Sequence, residues 1–431
     1  MIDINKLRAE PEKLKTGTQA KGIDSVVVEE ALEADKKWRE LTGKVEKLRA
    51  ERNTINQELK NPVKSSQSSD NGASRRTEEL KNKSVQLKRE LKDLEPRLRE
   101  TEEKLDEVLR QIPNPAANDV KVGKDERENE IIRKWGEPKK FPFAIEDHLV
   151  LGESLGIIDV ERAGKVSGSR FGYFKGAAVQ LEFALVQLAM KTLVEERFVP
   201  ILTPVLIKKE MMGGMGYLEH SGEDDMYVLD KDGLVLVGTS EQSIGPMHAG
   251  EVLSANDLPI RYMGFSTCFR REAGSYGKDT RGILRVHQFD KVEMFSFAAP
   301  EKSDDEHEFL LNLEEEFFKA LKIPYQVVKM CTGDLGVPAA RKYDIEAWMP
   351  GQGKYREVTS TSTTTDFQAR RLNIRYRDRG EMKFVHMLNG TAFAIGRTII
   401  AILENYQQKD GSVVVPEVLQ KYMGMKVIKR K

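Results

Sequence analysis

Two apolar seams separated by a polar, breaker-rich stretch constrain this chain more than any other feature of its sequence. From Val27 the apolar positions step through Ala31, Ala34, Trp38, Leu41, Val45, Leu48, Ile55 and Leu59 in alternating threes and fours, with Arg52 as the one interruption. A second seam runs through Leu87, Leu91, Leu94, Leu98, Leu105, Val108 and Ile112, with Thr101 at one step. Such spacing lays one narrow stripe of side chains along an α-helix, and helices this long with so narrow a stripe need a partner. Residues 61–74, Asn-Pro-Val-Lys-Ser-Ser-Gln-Ser-Ser-Asp-Asn-Gly-Ala-Ser, carry no period and read as a connection. The two helices are expected to fold back as an antiparallel hairpin over residues 27–112; a coiled coil with a second chain is the alternative that the intervening loop disfavours. Pro96 sits off the seam, removes one helical hydrogen bond and predicts a kink in the returning helix.

Charge along this hairpin is uneven. Lys60, Lys64, Arg75, Arg76, Lys81 and Lys83 dominate its tip, whereas Asp93, Glu95, Glu100, Glu102, Glu103, Asp106 and Glu107 gather toward its base. The 431 residues are 32% charged but balance to a net charge of +0, so attraction to a polyanion has to come from a local patch. A basic tip fits phosphate backbones, by which RNA helices are mainly recognised, and a merely solvated helix face would give the same pattern.

The length implies two or three domains. Two cysteines, Cys268 and Cys331, without CxxC or clustered histidines suggest neither a disulfide framework nor a zinc site. The start, Met1-Ile2-Asp3-Ile4-Asn5-Lys6, lacks an apolar core of the signal-peptide kind, and no uninterrupted apolar run nears the ~20 residues of a bilayer span, so no membrane association and a cytoplasmic protein are expected. Pro113-Asn114-Pro115 ends both helix and periodicity, placing a boundary between an N-terminal domain, 1–112, and a second domain, 113–431. Beyond it, an amphipathic helix is expected around Gly176–Glu195, and strand-like runs appear at Phe198–Ile207, Gly233–Val237, Leu284–Phe289 and Val292–Phe297. Several strands preceding a last helix argue for an α+β fold with a largely antiparallel sheet.

The stretch Phe269-Arg270-Arg271-Glu272, followed by a Gly-rich segment and then Val286-His287-Gln288-Phe289, has the parts that a bent nucleoside triphosphate requires. A guanidinium can pair with the α-phosphate, a carboxylate can accept from an adenine amino group, and a ring can cover the purine. No GxGxxG follows a strand and no Walker lysine motif is present, so a nucleotide would be held in neither of those ways.

These residues resemble the seryl-tRNA synthetase family, a class II aminoacyl-tRNA synthetase family. Phe198-Val199-Pro200-Ile201-Leu202-Thr203-Pro204 resembles the class's dimer-forming first motif, the Arg270-x-Glu272 stretch its second, and Leu388-Asn389-Gly390-Thr391-Ala392-Phe393-Ala394-Ile395-Gly396-Arg397-Thr398 its third. The flanks Thr239-Ser240-Glu241, Arg281-Gly282 through Glu293, Asp366-Phe367-Gln368-Ala369-Arg370-Arg371 and Ile402-Leu403-Glu404-Asn405-Tyr406-Gln407 are similar to those of the same family, in the same order. The resemblance covers essentially the whole chain, the helical arm included.

It implies a catalytic domain on an antiparallel β-sheet flanked by helices, preceded by the coiled-coil arm. It implies ATP contacts from Arg270, Arg271, Glu272, Val286, Phe289, Glu357, Val358, Thr359, Ser360 and Arg397, with Arg270 on the α-phosphate, Phe289 on the adenine and Arg397 at the γ-phosphate. Glu357 and Ser360 would hold Mg²⁺, and Arg270, Glu357 and Arg397 would carry catalysis. Serine would sit among Thr239, Ser240, Glu241, Arg270, Glu293, Asn389 and Thr391. Lys60, Lys64, Arg75, Arg76, Lys81 and Lys83 would meet tRNA(Ser), the region around Pro204 would form a homodimer, and no zinc is expected. His287 reads as structural, because carboxylate attack on ATP removes no proton. Lys278 and Arg281 fit either the tRNA acceptor end or solvent.

Two departures stand out. Ser240 replaces the commoner alanine, and Ser362-Thr363-Thr364-Thr365 replaces a Ser-Asn-Cys stretch on the pocket wall before Asp366. The implied reaction makes seryl-adenylate and then charges tRNA(Ser), with the selenocysteine tRNA as a second candidate acceptor. A relative loading a carrier protein, or an inactive RNA-binding paralogue, are the alternatives; the first usually lacks the arm, and the second should have lost Arg270, Glu293, Glu357 or Arg397.

Overall fold

A computed structural model describes residues 1–60, 70–220, 222–273 and 281–430, the side chains of 70–74 excepted. Lys64 and Lys278 therefore lie outside the described residues. By internal packing the chain divides into two compact units, one of residues 2–18 and 24–112, the other of 1, 19–23 and 113–431.

In the first unit, helices α1 (Val26–Lys60) and α2 (Asp70–Gln111) pair as a hairpin. Ala31, Ala34, Val45 and Ile55 bury against Leu87, Leu91, Leu105 and Val108, which are seam positions of the two stripes. At the start of the first stripe Val28 is buried, where Val27 was expected. Contacts from Arg49 to Glu95 at 2.8 Å, Ser84 to Asn56 at 3.3 Å and Arg76 to Glu58 at 3.6 Å fall in antiparallel order. Helix α2 runs on through Pro96, whose ring lies on the exposed face. Near its base the fully buried Asp35 takes Arg8 at 2.7 Å and Arg39 at 2.9 Å, so its charge is desolvated only in the company of two guanidinium groups.

The second unit is built on an eight-stranded sheet. Its strands in chain order are β1 (Glu130–Trp135), β2 (Val199–Leu202), β3 (Ile260–Phe269), β4 (Gln288–Ala298), β5 (Tyr325–Lys329), β6 (Arg341–Met349), β7 (Lys354–Thr363) and β8 (His386–Ala394). They lie in the order β1-β5-β6-β7-β8-β4-β3-β2, antiparallel except for the β2–β3 pair at one edge. Helix α3 (Ala177–Glu195) buries Leu181, Leu185, Leu188 and Leu193. It is long and apolar enough by composition to cross a membrane, yet half of it is buried inside the protein, as befits a core helix. Helices α4 (Ser303–Ala320) and α5 (Ile395–Tyr406) complete one continuous core through Leu310, Phe317, Phe318, Ile399 and Leu403.

Two expectations need correction. The run Phe198–Ile207 is two strands, β2 and Leu206–Lys208, because Pro204 lacks the N–H a ladder needs and restricts Thr203 before it. Pro200 is tolerated because β2 is an edge strand. The runs at 284–289 and 292–297 are not two strands: a single strand begins only at Gln288 and runs to Ala298. Leu284–His287 is instead an irregular approach to β4, whose middle is buried on both faces and so shows no alternation.

Candidate active site

The middle of the sheet and the loops beside it enclose a cavity of ≈ 440 Å³, in the range of ligand pockets. Two β-bulges decide which side chains line it. In the β4–β8 pair, Val292 faces Phe393 but Glu293 faces Thr391, leaving Ala392 unmatched. Side chains alternate strictly along a regular strand, so one extra residue reverses the sense of everything beyond it. Asn389 and Thr391 consequently face the cavity, then Ala394, while Phe393 goes to the core. The β6–β7 pair has the same device: Ile345 faces Thr359 and Glu346 faces Glu357, with Val358 left over. Glu357 and Ser360, three apart and therefore on opposite faces of a regular strand, are both brought onto the cavity wall.

At one end Glu293 accepts from Thr391 Oγ1 at 3.1 Å and touches Lys291 Nζ. Burial pushes the Glu293 carboxyl up to about 7, with Lys291 opposing and Glu241 adding to the rise. Glu241 is bound by the Tyr217 hydroxyl, and Thr239 Oγ1 accepts the Glu241 N–H at 3.3 Å. At the other end Arg397 Nη1 lies 3.2 Å from Glu357 Oε2 and donates to the Glu357 carbonyl at 3.0 Å. Desolvation acts to raise Glu357, but Arg397, Lys342 and Arg270 outweigh it and hold this carboxyl at about 2. Asp344 beside it goes the other way, to about 7, because burial and then the Glu357 charge outweigh the help of Lys342 at 3.3 Å. A permanently ionised carboxylate thus sits next to one that is easily protonated.

Between the two ends, Arg270 follows β3 directly. Its Nε donates to the Gly238 carbonyl at 3.2 Å, and its guanidinium stands 5.3 Å from the centre of the Phe289 ring. Glu272, held at a positive φ of 54°, takes Arg285 at 3.0 Å. Val286, Val358, Thr359 and Ser360 line the same space.

Of the residues expected here, two are directed elsewhere. Arg271 donates to the Met226 carbonyl at 2.7 Å and stacks over Tyr227, because the chain turns at Glu272. Ser240 is fully buried and packs toward Gly264 on β3, leaving its neighbours Thr239 and Glu241 on the cavity. His287 Nδ1 meets the Arg270 carbonyl at 3.0 Å and is absent from the cavity wall, so its contact is structural. Ser362 and Thr364, the departures noted above, do line the cavity. Sequence reasoning missed Tyr217, Arg285, Lys291 and Lys342. The spacing Lys291-x-Glu293 could have revealed one of them, since period two places both on one face. Tyr217 carries no such signal, because a loop brings it in.

A largely antiparallel sheet with a cavity of ≈ 440 Å³ over its middle, Arg397 and Glu357 at one end, Glu241 and Glu293 at the other and Arg270 between them, has the arrangement of a class II aminoacyl-tRNA synthetase core. In agreement, residues 227–406 match the tRNA synthetase class II core domain (G, H, P, S and T), and residues 1–116 match the seryl-tRNA synthetase N-terminal domain. The chain is 47% identical to a serine–tRNA ligase of Thermobifida fusca over 99% of both proteins. It superposes on the seryl-tRNA synthetase of Pyrococcus horikoshii solved in complex with ATP, with a TM-score of 0.91 and 42% identity over 100% of both chains. The cytoplasmic serine–tRNA ligase of Naegleria fowleri in complex with AMP gives 0.87 and 35%, covering 100% of this chain and 99% of that one. The chain belongs to the seryl-tRNA synthetase family.

Proposed function

We infer that this cavity is where L-serine and ATP form seryl-adenylate and pyrophosphate, and where the seryl group then passes to the ribose hydroxyl of the terminal adenosine of tRNA(Ser). The observation that carries this reading is the convergence of Arg270, Glu357 and Arg397 on one cavity with Glu241, Glu293 and Thr391 at its other end. An ammonium needs carboxylates, and a small hydroxyl needs the donors and acceptors that Thr391 and Asn389 supply. Such a pocket disfavours alanine, which would leave those groups unpaired.

The serine carboxylate attacks the α-phosphorus already ionised, so no base is required. Arg270 holds carboxylate and α-phosphate together and meets the charge that grows between them, while Phe289 stacks on the adenine and Glu272 with the Val286 backbone positions its edge. Arg397 takes the γ-phosphate end. Mg²⁺ suits the donors present. Among the described residues no group of three or more His, Cys, Asp or Glu side chains could cage a metal, but Glu357 and Ser360 offer an ionised carboxylate and a hydroxyl. That is the sparse set with which a hydrated Mg²⁺ joins nucleotide phosphates, whose charge it would neutralise.

The unit of residues 2–18 and 24–112 serves tRNA through the arm. Lys60, Arg75, Arg76, Lys81 and Lys83 are exposed near its tip, although Arg76 and Lys83 share their charge with Glu58 at 3.6 Å and Glu51 at 2.6 Å. A homodimer forms over β2 and α3, where Val199, Leu202, Phe183, Met190 and Val194 leave an apolar edge uncovered. The site of action is the cytoplasm, with tRNA(Sec) as a further acceptor. Serine-dependent ATP–pyrophosphate exchange followed by charging of tRNA(Ser) tests the whole reading. Absence of exchange rejects it, and exchange without charging favours the carrier-loading alternative.

A further inference from the structure

We propose that His148, held by Glu404, is a positioning residue for the nucleotide end of the cavity, fixing where the chain re-enters the site after Arg281. The proposal rests on the assignment of ATP to this cavity. His148 begins a short helix capped by Asp147, and its ring is buried without lining the cavity. Its Nε2 lies 3.3 Å from the backbone N–H of Ile283 and accepts from it. That role places the ring proton on Nδ1, which donates to Glu404 Oε1 at 3.3 Å.

Glu404 is fully buried on α5, seven residues and about two turns beyond Arg397. Its carboxylate also takes the backbone N–H of His148 at 3.1 Å and of Gly351 at 2.9 Å, so it is fastened from three sides. Gly282 completes the arrangement. Its φ of +80° suits glycine, and a Cβ at that position would collide with the imidazole Nε2. The backbone can therefore reach the ring only through a residue without a side chain.

Directly downstream, Ile283, Leu284, Arg285 and Val286 line the cavity, and Arg285 holds Glu272 at 3.0 Å. One imidazole thus ties the helix that carries Arg397 to the segment that shapes the adenine side. Glu293 and Thr391 at the serine end stand on β4 and β8, and neither strand takes part in the hydrogen bonds of His148 and Glu404 to Ile283 and Gly351.

The test compares His148→Phe, His148→Gln and Gly282→Ala with the unaltered protein, reading KM for ATP and for serine in pyrophosphate exchange together with the melting temperature. The expected result for His148→Phe is an ATP KM raised roughly tenfold to a hundredfold with a serine KM within about twofold. The glutamine variant should recover most of the loss, because its amide can accept from Ile283 and donate to Glu404. Gly282→Ala keeps ring and carboxylate but moves the backbone off them, and should show the same selective defect even if His148→Phe does not fold. An unchanged ATP KM in both disruptive variants overturns the proposal, as does an equal loss for ATP and serine or a glutamine variant no better than phenylalanine. Absence of serine-dependent exchange in the unaltered protein would instead reject the functional assignment.

Discussion

Glu293 and Glu357 are carboxylates on the wall of one cavity, and their surroundings drive them in opposite directions. Glu357 faces three cations and stays ionised, whereas Glu293 is desolvated beside another acid and rises to about 7. Between the ordinary carboxylate value of 4.5 and about 7, folding takes up a proton at Glu293. Its contribution to stability is therefore present below 4.5 and is lost as pH rises through about 7. A serine ammonium reverses that demand, because it binds the ionised form. Serine affinity should increase as pH rises toward 7, by at most about tenfold per unit, and then level off. Calorimetric titration from pH 5.5 to 8.5 checks this, and Glu293→Gln should flatten the profile. Arg270 belongs to the same scale. Its planar guanidinium lies by the Phe289 ring with one nitrogen committed to Gly238, so Arg270→Lys should lower exchange by about a hundredfold or more, with the fold unchanged by circular dichroism.

At the scale of elements, what could be read in advance was whatever repeats. The arm's 3-4 spacing set out two helices, and the leucines of α3 did the same for a third. Ala31, Ala34, Val45 and Ile55 of one arm seam and Leu87, Leu91, Leu105, Val108 and Ile112 of the other are buried, and the remaining seam positions are only partly covered. Leu91 is almost wholly enclosed between the two arm helices, so Leu91→Ala should cost the N-terminal unit about 2–5 kcal/mol. In urea that loss should appear as an earlier transition of this unit, with charging impaired and pyrophosphate exchange retained. Strands were harder to read. The buried middle of β4 has no alternation, and the break at Thr203-Pro204 hides inside an apolar run. The bulges at Ala392 and Val358 leave no mark in the sequence at all, because an unmatched residue exists only relative to the strand across from it. Glu357 and Ser360 could therefore be assigned together only through the family resemblance.

For the whole molecule, the decisive feature is the edge of the sheet. Leu202 is 84% exposed and Val199 53%, on a strand whose outer side has no neighbour among the described residues. If the proposed homodimer forms over this edge, Leu202→Asp combined with Val199→Asp should yield monomers in light scattering where the unaltered protein gives dimers. A dimer that persists in the double variant would place the interface elsewhere. Sequence alone determined the helical arm and the α+β class, because periodicity is a local property of the chain, and its contiguous motifs pointed to part of the cavity wall only through the family resemblance. Tertiary structure decided that Arg271 and Ser240 turn away, that Tyr217, Arg285, Lys291 and Lys342 join the wall, and that two neighbouring acids titrate apart. Those outcomes depend on strand register, desolvation and the proximity of charges far apart in sequence, and none of these exists before the chain has folded.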